Sequence, residues 1–205
     1  LKPVNRLQVF EHRQLYDAGV WDQRPLLRDM ANGQMSLIVL DYLGNWLTPE
    51  MITLITHRYA QDGSRGTYDI YRPLDPGPHS EITGDLGGVQ LTGFFLTPPA
   101  ADSYDPGERL ALTLELRRSD PPAVTQCDTT PCEIETRLNT ADGMTLAAWA
   151  QPLLYGALKP RDWGDEPIQQ LQPLDLPAEL PSGAYTLTVA LRIDGVEQAQ
   201  AQQLA

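Results

Sequence analysis

From Leu110 to Leu116 every second residue is leucine, with Ala111, Thr113 and Glu115 in between and Arg117 following. That two-residue period places the leucines on one face of a β-strand and the polar side chains on the other, so the segment belongs to a sheet with one wet face. Tyr185, Leu187, Val189, Leu191 and Ile193 alternate with Thr186, Thr188, Ala190 and Arg192 in the same way. Weaker strand candidates are Val89 to Leu96, Glu133 to Asn139, Met144 to Trp149, Ile168 to Leu171 and Val196 to Gln203. Turn signals separate them at Asp105-Pro106-Gly107, Ala141-Asp142-Gly143, Pro181-Ser182-Gly183 and Asp194-Gly195. About seven short strands punctuated in this way predict an antiparallel β-sandwich of immunoglobulin-like or jelly-roll type.

The first part of the chain has a different rhythm. Asp22 is placed to cap a helix through Pro25, Leu26, Leu27 and Met30, which Gly33 ends. Ser36 to Leu40 then reads as a buried strand. Thr48-Pro49 gives an N-cap and a proline at the first helical position, and Met51, Ile52, Ile55 and Tyr59 share one stripe before Asp62-Gly63 breaks it. Thr67 to Tyr71 returns as a strand. Strand, helix, strand is a crossover unit and favours parallel, right-handed pairing. Two strands make a poor sheet, so further strands from upstream sequence, or packing on the second module, are expected.

The charge changes with the rhythm. Residues 1–75 carry 8 Lys+Arg and 9 Asp+Glu, net −1, whereas residues 76–205 carry 7 and 18, net −11. The proline-rich run Pro73-Leu74-Asp75-Pro76-Gly77-Pro78 suits neither helix nor central strand, and is the natural linker. The expected organisation is therefore α+β overall: a small α/β segment over 1–75, followed by a β-sandwich over 76–205. With 41% hydrophobic residues the chain can build packed cores. The total of −12 argues against nucleic-acid or anionic-membrane partners, which are bound by concentrated Lys and Arg. The longest apolar run, Ser36 to Leu40, falls far short of the roughly 20 residues that cross a bilayer. The chain opens on Leu1 with no signal-peptide pattern behind it, as a fragment of a longer protein would.

Cys127 and Cys132 lie in the polar stretch Thr125-Gln126-Cys127-Asp128-Thr129-Thr130-Pro131-Cys132. A short-range disulfide fits that spacing and would stiffen a loop rather than the whole fold. Two free thiols are the alternative reading. A metal site lacks the companion His or second Cys pair it would need. If the bridge forms, the compartment is oxidising.

Several stretches resemble a known family. Leu15-Tyr16-Asp17-Ala18-Gly19-Val20-Trp21-Asp22, Leu26 to Met30, Leu37 to Leu40 and Tyr68-Asp69-Ile70-Tyr71-Arg72-Pro73 are similar to the soluble tail of bacterial polytopic membrane proteins of the glycosyltransferase class that uses lipid-linked sugar donors. Pro106 to Leu114, Ala141-Asp142-Gly143 and Leu180 to Leu187 look like the β-sandwich that often follows in such proteins. In that family, acidic residues in extracytoplasmic loops among the membrane helices carry the transfer chemistry. No such helix is present in this sequence, so no catalytic residue carries over. What the resemblance implies is position: an extracytoplasmic region, tethered to the membrane only through upstream segments.

Paired carboxylates are what glycoside chemistry requires. Asp162, Asp165 and Glu166 surround Trp163, and a tryptophan flanked by acids is also a way to stack a pyranose ring; the plainer reading is an acidic loop whose Trp163 packs over the sandwich edge. Asp41, Tyr42, Asn45 and Trp46 follow the apolar strand, at the strand end where α/β sheets usually bind ligands; the plainer reading is a loop that packs on a neighbouring module. Trp21 and Trp149 are expected as core or inter-domain anchors. His12, His57 and His79 sit apart without metal-ligand spacing, and His57 beside Arg58 is expected to favour its helix C-terminus. Gly84-Asp85-Leu86-Gly87-Gly88 is read as a loop, without the strand before and helix after that a phosphate cradle needs. No catalytic motif, metal or cofactor site is expected. The preferred expectation is a non-catalytic extracytoplasmic module that recognises glycan or another cell-envelope component. The alternatives are a free-standing secreted carbohydrate-binding or adhesion protein, and a glycoside hydrolase acting through the 162–166 region.

Overall fold

The computed structural model describes residues 14–41, 47–98, 104–119, 124–199 and 202–204. The chain divides into two compact units, Leu1–Leu74 and Asp75–Ala205.

In the first unit, helix α1 (Arg24–Ala31) ends in a Schellman motif: Gly33, at φ +63°, donates to the Met30 carbonyl, and Gln34 donates to Asp29. Its N-cap position is Gln23 rather than Asp22. The Asp22 carboxylate instead accepts from the Arg24 N–H at 3.0 Å and from the Arg24 side chain. Helix α2 (Pro49–Arg58) begins as its sequence predicts, with the Thr48 hydroxyl accepting from Met51 N and donating to Gln23 at 2.9 Å. Its buried stripe is Met51, Leu54, Ile55 and Arg58; Ile52, read as part of it, is 47% exposed.

The predicted parallel crossover does not form. Strands β1 (Ile38–Asp41), β2 (Tyr59–Arg65) and β3 (Tyr68–Pro73) make a fully antiparallel sheet in the order β1-β3-β2. The α2 helix stops at Arg58 and the chain passes directly into β2, so Tyr59 opens a strand instead of closing a helical stripe. A hairpin at Gly66, φ +65°, then reverses the chain once more than the sequence reading allowed, which turns β3 antiparallel to β1. β2 escaped notice because all but its first residue are exposed and it lacks apolar alternation.

The second unit is an antiparallel sandwich. One sheet has the order β4 (His79–Asp85), β5 (Val89–Thr97), β6 (Arg109–Arg118), β9 (Ile168–Asp175). The other runs β11 (Val196–Glu197), β10 (Tyr185–Ile193), β7 (Cys132–Thr140), β8 (Thr145–Pro152), with β12 (Gln202–Leu204) also on β10. Taken in sequence, β5, β6 and β9 occupy the positions of immunoglobulin strands A, B and E, while β12, β10, β7 and β8 occupy those of G, F, C and C′. The topology is thus immunoglobulin-like, not a jelly roll. Leu110, Leu112, Leu114 and Leu116 face inward from β6, opposite Ile134 and Leu138 of β7 and Val189, Leu191 and Ile193 of β10. The stretch 84–88 is the β4–β5 turn, so a strand does precede it, and a strand rather than a helix follows. Asp85 Oδ1 accepts from the N–H groups of Gly87 and Gly88, and Leu86 is buried beneath.

β9 carries an unusual inner face. Ile168, Gln170, Gln172 and Leu174 point to the core, and both glutamines are buried. They are satisfied by the opposite sheet: Gln172 donates to the Trp149 carbonyl at 2.7 Å and accepts from the Thr136 hydroxyl at 2.7 Å. Gln170 accepts from Leu154 N at 2.8 Å and donates to the Pro152 carbonyl at 3.2 Å. Buried amides cost stability unless bonded, so these pairs fix how β8 and β9 sit across the core.

Candidate functional site

Two segments singled out in the sequence come together at one pole of the sandwich. Cys127 and Cys132 are joined, closing the loop between the short helix α3 (Val124–Cys127) and β7. Within the loop, Thr129 and Thr130 both donate from their backbone N–H to the Gln126 carbonyl, and Thr129 repeats the bond through its hydroxyl. Asp128 Oδ1 accepts from Arg161 N at 3.2 Å and so ties the disulfide loop to the 3-10 turn Pro160–Asp162.

Trp163 follows that turn. Its ring is only 4% exposed, with Nε1 aimed at the Leu158 carbonyl at 3.5 Å. A stacking platform needs an open ring face; burial assigns this indole to holding the 158–163 loop against the sandwich, as in the plainer of the two sequence readings. Its acidic neighbours separate. Asp162 is half-buried and faces the Arg161 guanidinium at 3.7 Å, whereas Asp165 and Glu166 are exposed. Among the described residues no three His, Cys, Asp or Glu side chains gather in a metal-holding group. In the other predicted set, Asp41 is the last residue of β1, and Tyr42, Asn45 and Trp46 lie outside the described residues. Trp21 and Trp149 are half-buried. Burial pushes the His57 imidazole below its ordinary range, which weakens the positive charge expected of it at the α2 C-terminus.

Where the disulfide loop and the 153–160 segment meet, they leave a cleft of about 250 Å³. Its lining includes Thr129, Thr130 and Glu133 from the disulfide loop and the start of β7, Leu153, Leu158 and Lys159 from the 153–160 segment, the disulfide and three prolines. The turn whose end residues Leu153 and Gly156 line the cleft is strained. Leu154 (φ 45°) and Tyr155 (φ 58°) are consecutive non-glycine residues in the left-handed region, inside the turn Leu153–Gly156. Gln170 holds the first by its N–H, and the Tyr155 hydroxyl is held by β9 at Leu171. Strain of this kind persists only where the surroundings over-determine it.

Sequence reasoning passed over Lys159, Glu133, Thr129, Thr130 and Gln170. Each sits in an ordinary polar context, and only the folding of β7 onto β8 and of the disulfide loop onto Pro160–Asp162 brings the first four to one cleft. The signal that would have revealed the polar inner face of β9 is the i, i+2 spacing of Gln170 and Gln172 between Ile168 and Leu174.

Two other polar groups lie on the outer faces of the sandwich. Glu135 is clamped by Arg137 and Arg192, and Arg137 also reaches Glu197 at 2.6 Å. On the first sheet, His79 lies over Gly93 to meet Glu115 at 3.1 Å, and Gln169 donates to the same carboxylate at 3.2 Å.

No family model matches the chain, and no curated protein matches it. Solved structures give partial likenesses. A Bacteroides fragilis protein described as a beta-galactosidase is similar over 67% of this chain and 18% of its own, at 15% identity and TM-score 0.34. The Pseudomonas fluorescens alkylpurine DNA glycosylase AlkC, bound to DNA containing an abasic site analog, is similar over 58% of this chain and 30% of its own, at 14% identity and TM-score 0.26. The chain spans less than a third of either, and likenesses this weak carry no functional weight.

Proposed function

We propose that this chain is a non-catalytic extracytoplasmic accessory region of a glycosyltransferase-like membrane protein, and that it contacts glycan or another cell-envelope component. The observation that carries the reading is the pole of the sandwich where the disulfide loop is docked on the Pro160–Asp162 turn, with Asp165 and Glu166 exposed beside it. A bridge between Cys127 and Cys132 suits an oxidising compartment. Rigid, stapled loops at the end of a β-sandwich are where such scaffolds carry binding surfaces. The stretches Leu15 to Asp22, Tyr68 to Pro73 and Leu180 to Leu187, similar to the soluble tails of that membrane-protein class, support the position in the parent protein.

Two measurements test the reading. The full reading frame upstream of Leu1 must encode apolar spans of about 20 residues; their absence would leave a free-standing secreted binding module as the better description. A panel of cell-envelope oligosaccharides, titrated into the isotope-labelled chain, should shift the amides of residues 161–166, and Asp165→Asn with Glu166→Gln should abolish that response. A panel that leaves these amides unmoved sinks the recognition role.

A further inference from the structure

The cleft between the disulfide loop and the 153–160 segment has a chemistry of its own, which does not rest on the glycan reading. Two of its lining residues are charged and opposite in sign, Lys159 and Glu133. Both are half-buried, and neither side chain has an ion pair or hydrogen bond among the described residues, including with the other. The charges that would neutralise them are engaged elsewhere. Arg192, which sits opposite Glu133 in the β7–β10 register, turns its guanidinium to Glu135 and to the Gly195 carbonyl. Asp128 accepts from the Arg161 backbone, and Asp162 faces the Arg161 side chain.

We propose that this cleft binds a small zwitterion of α-amino-acid size. Its carboxylate is received by Lys159 and its ammonium by Glu133, while the hydroxyls of Thr129 and Thr130 supply further bonds. Leu153 and Leu158 offer an apolar surface for a side chain. The cleft, of about 250 Å³, has room for a ligand of amino-acid size. The paired charges set the specificity. A simple anion would gain Lys159 but meet Glu133, and a simple cation the reverse, whereas a ligand carrying both charges pairs with both groups and a neutral one pairs with neither. The disulfide and the bonds from Gln170 and Asp128 hold the walls before the ligand arrives, which lowers the ordering cost of binding.

L-leucine is a suitable probe, with N-acetyl-L-leucine and L-leucine methyl ester as forms in which one charge is removed. Titrated into the isotope-labelled full chain and followed by amide shifts, leucine should perturb Thr129, Thr130 and Lys159 saturably. Each blocked form should bind about tenfold more weakly or worse, as expected for loss of a charge-assisted bond. Lys159→Met should lose affinity for leucine by a similar factor, and so should Glu133→Gln. Equal binding of leucine and its blocked forms, or no saturable shift at these amides up to tens of millimolar, overturns the proposal. The ligand series on the unaltered chain decides the matter even if a variant misfolds. The glycan panel is independent, because it reads residues 161–166 with sugars that carry no such charge pair.

Discussion

The phenolic hydroxyl of Tyr155 sits against the backbone of Leu171, donating to its carbonyl at 2.9 Å and accepting from its N–H at 2.7 Å. Leu171 belongs to β9, the last strand of its sheet, so both groups would otherwise face outward as an unpaired edge. One side chain thus performs the covering that a neighbouring strand would, and it blunts a site where another chain could pair. This explains why the turn Leu153–Gly156 tolerates two left-handed residues: the backbone is bent so that Tyr155 reaches β9.

Tyr155→Phe keeps the ring and removes both bonds. It should cost about 1–2 kcal/mol, the expense of leaving partly buried backbone groups without partners. Urea unfolding should show a lower midpoint at unchanged slope. An unchanged midpoint would mean that water replaces the hydroxyl and that the strained turn has another cause.

Arg58 makes the matching test in the first unit. Its guanidinium is 1% exposed and donates from Nε to the Ala31 carbonyl at 2.9 Å, at the C-terminal end of α1, where the helix dipole favours a cation. A Cβ on Gly33 would come within 2.9 Å of Arg58 Nη2. Arg58→Met should destabilise the unit by about 1.5–3 kcal/mol through the lost charged bond. Gly33→Ala should also destabilise it, because the added methyl meets both the guanidinium and a φ of +63°. Protease cleavage confined to residues 1–74 would reveal either effect, and equal resistance of wild type and both variants would contradict it.

Much of the second unit was legible because its strands obey a single physical pattern. Leu110 to Leu116 and Tyr185 to Ile193 alternate strictly, and both form strands, with the four leucines of the first and Val189, Leu191 and Ile193 of the second inside. Two strands that were missed, β2 and β4, are mostly exposed, and exposure removes the apolar period that reveals a strand. Misreading β2 cost the topology of the whole first unit, since one uncounted reversal changes a parallel pair into an antiparallel one. Trp163 shows the same limit at the site. An indole between acids looks identical in sequence whether its ring is open to a sugar or closed over a loop, and only tertiary packing separates the two. That Lys159 and Glu133 line one cleft was illegible for a related reason, as the two lie 26 positions apart in the chain.

Acid should weaken the sandwich through Glu135. Burial alone would raise this carboxyl, but hydrogen bonds from Arg137 and Arg192, reinforced by their charges, outweigh it and hold the group below its ordinary value of 4.5. A carboxyl depressed in the folded state binds its proton more readily when unfolded, so its contribution is complete above the unfolded value and is lost as pH falls through the folded one. Stability measured from pH 6 downward should therefore decline more steeply in wild type than in Glu135→Gln. Parallel pH profiles would show that the arginines do not stabilise the ionised form.

The disulfide should matter more for the pole than for the fold. A ring as short as Cys127–Cys132 constrains few unfolded conformations, and its removal should cost about 2 kcal/mol on the chain-entropy account. The sandwich core of Leu112, Leu114, Ile134 and Leu191 lies away from the loop's own bonds, so a Cys127→Ser, Cys132→Ser double variant should stay folded with a modestly lower melting temperature. Locally the change should be larger. With the loop released, the bond from Arg161 N to Asp128 loses its fixed acceptor, and Trp163, anchored in the segment that follows, gains solvent access. Its fluorescence should therefore become more readily quenched by iodide or acrylamide in the variant. Quenching equal to wild type, with the melting temperature lowered, would show that the Pro160–Asp162 turn holds its position without the staple and that the cleft is shaped by the strands alone.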